Sequence, residues 1–483
     1  MARNSKRSEE RHQMMMEMEP KRLICKMALP AIVALIVDSF YNLADTFFVS
    51  SIGVNATSAV AVNDSFMHVL LAISGAFAFG LSSYTSRLLG AKKDERASRV
   101  ASTTLFTGII TALVVISCIW PIRAWLVDAI GATPEALKYS VDYATYILLA
   151  FPFTMCNNIL NQSLKSEGNT TYAMIGTVSG CIVNCILDPI FIQVLGWEVA
   201  GAAGATALSK VFSFCVLVFP YLRKTTIIHI SPKNIKYNKE DFFEVAKNGL
   251  PTFLRMNLIT FGSILTNRTA RLFGTSVLAA ISIANKIYRF ISSVVMGFGQ
   301  GFAPCAGYCW GAKAYERTKK LYYVTISLGA AIGFVCSVIM FFTARSMVGI
   351  FNNSNDPVVF EIGMFKLRAL CIALIPHIFV MMTNSFYQAL GRPLGSTILG
   401  LSRQLLFLIP MVLILPKFFG VYGLASAQAV SDFLSAVLLA IPFAIHIIRV
   451  INRAEAAYQA EQSKSADEMS IDAELPTGDE LST

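Results

Sequence analysis

In NCILDPIFI, residues 184–192, an amide and a carboxylate stand one helical turn apart, at Asn184 and Asp188, in an otherwise apolar run. In VDSFYNLADTFFV, residues 37–49, Asp38, Asn42 and Asp45 are spaced four and three, which puts them on one face of a helix with Tyr41 beside it. Thr206 follows in GATALS. Two carboxylates, an amide oxygen and a hydroxyl form a hard-oxygen set suited to Na⁺. The same carboxylates can instead carry a proton. Pro189 removes a backbone N–H next to Asp188 and frees a carbonyl one turn back, which suits an ion site. Each acid also has a purely structural reading: Asp45 as the cap of a span end, Asp188 as a hydrogen-bond acceptor before a proline.

What surrounds these groups makes them candidates. The chain has 483 residues, 55% of them hydrophobic and only 14% charged, with a mean hydropathy of +0.58. Soluble domains carry about a quarter charged residues. Twelve apolar stretches, centred near residues 38, 74, 110, 148, 180, 211, 259, 294, 331, 371, 406 and 434, are long enough for helices that cross a bilayer. They are too long, and alternate too little, for strands of a barrel. The fold class expected is therefore an all-α polytopic membrane protein. An ionised carboxylate at the bilayer centre costs about 2.5–3.5 kcal/mol on insertion scales, so such a group faces the protein interior and marks function. No cleavable signal peptide is expected.

The net charge of +10 reflects topology rather than nucleic acid. Lys and Arg cluster before span 1 and in the loops after spans 2, 6 and 8, while SSIGVNATS (50–58) and QVLGWEV (193–199) carry neither. Basic loops mark the cytoplasmic side, so both termini are expected there, in the cell membrane. The ten cysteines lie mainly within spans. Cys181/Cys185 and Cys305/Cys309 are read as packing residues, and neither a disulfide framework nor a metal site beyond Na⁺ is indicated.

The chain repeats. ALP at 28 matches GLP at 249, an offset of 221 shared by Gly53/Gly274, Phe77/Phe298, Gly80/Gly301 and GAKKDER (90–96) against GAKAYER (311–317). Each half holds six spans, an even number, so the halves are parallel repeats, two six-helix bundles with a cleft between them. The domains expected are a cytoplasmic segment 1–26, an N-lobe 27–222 with spans 1–6, a linker 223–243, a C-lobe 244–450 with spans 7–12, and a disordered acidic tail 451–483.

YNLADTFFV (41–49), GAKK (90–93), SEGNTTYAM (166–174), NCILDPIFI (184–192), VAGAAGAT (199–206) and GQGFAPCAGYCWGAK (299–313), with Pro30 in span 1, carry a resemblance. From about residue 20 to about 450 the chain resembles the multidrug and toxic compound extrusion (MATE) transporters, in the branch that looks like bacterial and archaeal members. The resemblance implies a V-shaped pair of lobes and export of organic compounds in exchange for Na⁺ or H⁺. It implies a cation site at Asp45, Asn184, Asp188 and Thr206, a polar cavity at Tyr41, Asn157 and Asn161, and a bend of span 1 at Pro30. Two departures stand out. Asp38 occupies a position where similar proteins often carry Gln. The second half holds Arg255, Arg268, Lys286, Arg289, Arg368 and Arg403 in or near spans.

Further expectations concern the cleft. Asp38 and Asn42 join its wall, and Met296 and Gln300 of span 8 line it. Asp64 and Lys286 are candidates to pair across the lobes and close a gate. No G-x-x-x-x-G-K-[ST] occurs, so energy is expected from an ion gradient. The reading is a secondary antiporter for organic compounds, cationic or amphiphilic, working as a monomer in the bilayer without cofactor and without nucleic acid. The alternative is a flippase or exporter for anionic or lipid-linked substrates. A nucleophile–base set for an intramembrane enzyme is not evident, His68 and His377 standing without motif context.

Overall fold

The computed structural model describes residues 2–50, 52–352 and 356–474, and among these there are helices and connecting turns but no strand. A first helix, α1 (Ala2–Glu17), precedes the crossings. The first six crossings are α2 (Pro20–Ser50), α3 (Val54–Gly90), α4 (Asp94–Ile119) with its continuation α5 (Arg123–Ile130), α6 (Pro134–Ser166), α7 (Thr170–Pro189) and α8 (Glu198–Leu222). The second six begin with α9 (Lys239–Arg271), α10 (Thr275–Gly311), α11 (Tyr315–Phe351) and α12 (Pro357–Ala389). Helix α13 (Pro393–Leu401) then runs through a π segment into α14 (Ile409–Ser435). Gly420, at φ +56°, turns the chain inside α14, and the last crossing returns from Val421 into α15 (Ile441–Glu474). The twelve-helix, two-bundle architecture is thus present.

Eight stretches are apolar and long enough to cross a membrane by composition alone, the last of them, Pro393–Ser463, holding two passes. The other three passes, α6, α9 and α12, bring polar residues such as Asn157, Arg255 and Asn384 to the wall of the space between the bundles. Their starts are well marked. Pro134 and Pro357 occupy first-turn positions, where a missing N–H costs nothing. The Asp356 side chain accepts from Val358 N–H at 2.9 Å as an N-cap.

The sequence repeat is a repeat in space. A Cβ on Gly80 would stand 2.2 Å from the Val245 carbonyl oxygen and 3.0 Å from Gly249 N, while one on Gly301 would stand 2.5 Å from Ala28 Cα. Residue 80 plus the offset is 301, and 28 plus the offset is 249, so the α3–α9 and α10–α2 contacts are images of each other. Gly90 against the Tyr308 carbonyl, and Gly311 against the Arg87 carbonyl, form a second such pair. Lys92 and Lys313 end the same turns with φ of 58° and 57°. Only a residue without a side chain lets backbones approach this closely.

All these contacts lie toward the face that carries both termini. There, Asp241 of α9 accepts from Tyr84 Oη at 2.8 Å and from Arg96 Nη2 at 2.7 Å, tying α3 and α4 to the second bundle. Helix α1 lies over the junction. Arg11 Nη1 donates to the Gly168 carbonyl at 2.7 Å in the first bundle, and His12 Nδ1 lies 2.9 Å from Tyr308 Oη in the second. Arg317 Nε donates to the Met15 carbonyl at 2.8 Å. Toward the opposite face the bundles part, and Asp64, Lys286 and Arg289 are exposed.

Two boundaries differ from expectation. Within the polar segment 1–26, α1 covers Ala2–Glu17 and α2 already begins at Pro20. The tail expected to be disordered from 451 is helical to Glu474. INRAEAAYQAEQSK is rich in strong helix formers. It is held by Glu455, which pairs with Lys319 at 2.8 Å, and by Tyr458, edge-on to Tyr315 with ring centroids 6.1 Å apart. Residues 475–483 of the expected tail lie outside the described residues.

Candidate cation and substrate site

Helices α2, α7 and α8 converge inside the first bundle. Asp188 is fully buried, Asn184 and Thr206 are 1% and 2% exposed, and Asp45 is 8% exposed. The Asn184 amide is satisfied when its nitrogen donates to Asp188 Oδ2 at 2.8 Å and its oxygen accepts from Thr206 N–H at 3.1 Å. The amide therefore orients the carboxylate and ties α7 to α8. Tyr41 Oη reaches Thr206 Oγ1 at 3.5 Å, which brings in α2. The carboxylates of Asp45 and Asp188 are close enough to repel each other. Asp45 Oδ1 and Asp188 Oδ1 are buried without a hydrogen-bond partner. Buried acceptors without donors are costly. Here a bound cation or a shared proton would satisfy both and relieve the repulsion. Just past Asp188 and Pro189, residues Ile190–Val194 widen into a π turn, as a missing N–H encourages.

The central cavity has an empty volume of about 2330 Å³, counting its open mouth, and both bundles wall it. Asp38, Tyr41, Asn42, Asn157, Asn161, Asn184 and Thr206 line the first-bundle side, and Met296 and Gln300 the second. Several of these polar groups are committed to the fold. Asn157 Nδ2 donates to the Lys210 carbonyl at 2.8 Å, leaving its own Oδ1 without a partner. Asn161 Nδ2 donates to the Ala173 carbonyl at 2.8 Å, and its image Asn384 donates to the Ser396 carbonyl at 2.8 Å. Asn42 Nδ2 donates to the Asp38 carbonyl at 2.6 Å.

Asp64 and Lys286 do not form the expected ion pair. Both side chains are exposed where the bundles stand apart, within electrostatic reach but not in contact. Helix α2 continues unbroken through Pro30. The cysteines are free thiols, and among the described residues no three His, Cys, Asp or Glu gather as a metal site.

Three features escaped the sequence reading. Tyr143 of α6, 3% exposed, sits within the field of Asp45, Asp64 and Asp188. Its place depends on α6 packing, which no spacing reveals. The first bundle, which holds Asp38, Asp45 and Asp188, also presents Lys165 and Lys210 to the cavity. The second bundle has a buried acid of its own: Asp432, fully buried, pairs with Arg403 and lies 3.7 Å from His377 Nδ1. The argument that singled out Asp188, an acid in an apolar run, applies equally to Asp432 in QAVSDFLSAV.

Comparison with known proteins agrees with the two-bundle fold. The MatE family model matches residues 30–190 and 251–414, one block in each bundle. The "Multidrug export protein MepA" of Staphylococcus aureus (strain MSSA476) is 26% identical over 423 residues, 87% of this chain and 92% of that protein. A solved structure, "Crystal structure of MATE in complex with MaL6", superposes with a TM-score of 0.88 at 25% identity, covering 92% of this chain and 99% of that one. A second, "Outward-facing conformation of a multidrug resistance MATE family transporter of the MOP superfamily", gives 0.87 at 25% identity, covering 91% and 98%. With the family model spanning well over half of the sequence and the repeat it describes present in space, this membrane protein belongs to the MATE family of transporters.

Proposed function

We propose that the chain exports amphiphilic organic compounds across the cell membrane in exchange for Na⁺ or H⁺, by alternating access. The observation that carries this is the pair of unpartnered oxygens, Asp45 Oδ1 and Asp188 Oδ1, buried beside a cavity shared by two bundles. The face with the termini is cytoplasmic on this reading, because the Lys and Arg clusters collect there. The conformation described is then open to the outside.

The cycle follows from these parts. A cation entering from outside binds between the two carboxylates and cancels their repulsion. Helix α2, which carries Asp45 and Tyr41, adjusts at Pro30, where no N–H holds the preceding turn. The cavity wall moves, and the bound compound leaves outward. The glycine contacts on the cytoplasmic side then part, and a new compound entering there favours release of the cation inward. Coupling requires only that cation and compound prefer different states of the same wall. The relative named for multidrug export is consistent with an organic cargo.

The test is dye accumulation in efflux-deficient cells that express the chain or its Asp188→Asn variant at equal levels. Lower accumulation with the native chain, reversed by collapsing one ion gradient and absent in the variant, is expected. Export that persists in the variant at the native rate contradicts the proposal.

A further inference from the structure

The charge on the cavity wall reaches further than the coupling ion. Four charged side chains line the cavity: Asp38, Lys165, Lys210 and Arg255. Three are cationic and one is anionic, a formal excess of two positive charges. Among the described residues, none of the three cations has a carboxylate within ion-pairing distance. Lys165, only 5% exposed, donates its ammonium to the neutral Gln300 Oε1 at 2.6 Å. Lys210 Nζ stands 5.8 Å from the centre of the Tyr41 ring. Arg255 Nη1 has the Met381 sulfur at 3.9 Å. Asp38 feels the Lys210 charge without contact, and its own Oδ2 accepts weakly from Asn42 at 3.4 Å.

Elsewhere the protein treats its cations in both ways: Lys366 of α12 is buried with no carboxylate paired to it among the described residues, while others are neutralised. Arg403 is paired with Asp432, and at the terminal face Arg96 is paired with Asp241. Burying a cation without a counter-charge is unfavourable unless something supplies that charge. Around one apolar-walled cavity, three cations against a single carboxylate point to a ligand that brings the anion. Asp38, within reach of the Lys210 charge, suits a positive group on the same molecule, and Met67, Met256, Met296 and Met381 provide adaptable apolar wall.

Resting on the proposed export function, we infer that the cargo is an amphiphile with an anionic group, a carboxylate or a phosphate, and that zwitterions fit better than plain cations. Lys165, Lys210 and Arg255 are the specificity-determining residues for that anion. The arrangement reverses the preference that the acids of span 1 suggest when read alone.

The experiment uses two forms of one dye in proteoliposomes of purified full-length chain: a rhodamine with a free carboxylate, and its methyl ester, which is a plain cation. Gradient-driven transport and equilibrium quenching of tryptophan fluorescence are both read. The carboxylate form should bind and move at least about tenfold better than the ester, a difference of about 1.4 kcal/mol. Lys210→Met and Arg255→Met should each bring the ratio toward one, and Arg255→Lys should recover part of it. Adding anionic lipid at constant dye distinguishes a lipid headgroup, which would compete, from a free organic anion, where it would not. Preference for the ester, or a ratio unchanged in both Met variants, overturns this inference while leaving export intact. Failure of both dyes to bind or move under either gradient removes the export reading and this inference with it.

Discussion

Lys165 Nζ donates to Gln300 Oε1 at 2.6 Å, one side chain from each bundle, at the end of the cavity nearer the termini. The bond closes the cavity floor only while α6 and α10 stand together. Replacing Gln300 with Leu leaves the ammonium without its partner in this state alone. A hydrogen bond to a charged group is worth about 1.5–3 kcal/mol, so the equilibrium should move about ten- to a hundredfold toward the form with an open floor. Spin labels at the exposed Lys92 and Lys239 positions should then report a longer separation by electron–electron resonance.

The glycine pair makes a sterner version of the same test. A Cβ on Gly249 would lie 2.1 Å from the Ala76 carbonyl oxygen, a backbone atom that cannot swing aside. Gly249→Ala should disfavour the closed floor by about 1–3 kcal/mol. In the image contact, Gly301→Ala should do the same by pressing on Ala28. Exposure of the floor to a membrane-impermeant thiol reagent, read at a cysteine introduced at Ala303 in a background without other cysteines, should rise in both.

Much of this was legible from residues. The offset of 221 between Gly80 and Gly301 foretold a repeat, because close packing of backbones needs glycine at the same place twice. Asp188 announced itself by its cost in an apolar run. The helical tail was not legible as structure: its acidity reads as solvation, and what holds it are contacts distant in sequence, such as those of Glu455 and Tyr458 with α11. Lys210, one turn past Thr206, carries no signal in the sequence; its place on the cavity wall depends on how α8 is rotated against α6. The Asp64–Lys286 pair failed because spacing places residues at one depth without fixing how far apart the bundles stand.

Asp432 offers a prediction about stability. It is fully buried against Arg403 and His377. Removing one partner of a buried pair leaves a bare charge, at a cost of about 3–5 kcal/mol. Asp432→Ala should lower the melting temperature in detergent markedly. The double variant Asp432→Leu with Arg403→Met should recover most of the loss, since no buried charge remains.

Glu167, in the loop after α6, gives a dependence on pH. Its Oε2 accepts from Ile227 N–H at 2.8 Å and Ile228 N–H at 3.2 Å, pinning the linker under the first bundle. Burial outweighs those donors and pushes the carboxyl from 4.5 to about 7. Between these values the folded chain keeps a proton that the unfolded chain releases. The contribution of Glu167 to stability is therefore greatest below pH 4.5 and is lost as pH rises through about 7, by up to about 3 kcal/mol. Melting of Glu167→Gln in detergent should lack that decline.

The central claim is that Asp45 and Asp188 hold the coupling cation. Its most direct test is proteoliposomes of the native chain, Asp45→Asn and Asp188→Asn, each offered both rhodamine forms under an imposed Na⁺ gradient and then an imposed pH gradient. The account predicts that one gradient drives dye movement in the native protein at least about tenfold faster than no gradient, and that both variants bind dye yet show no acceleration. A variant that still responds to the gradient as the native chain does would place the coupling ion elsewhere and contradict the account.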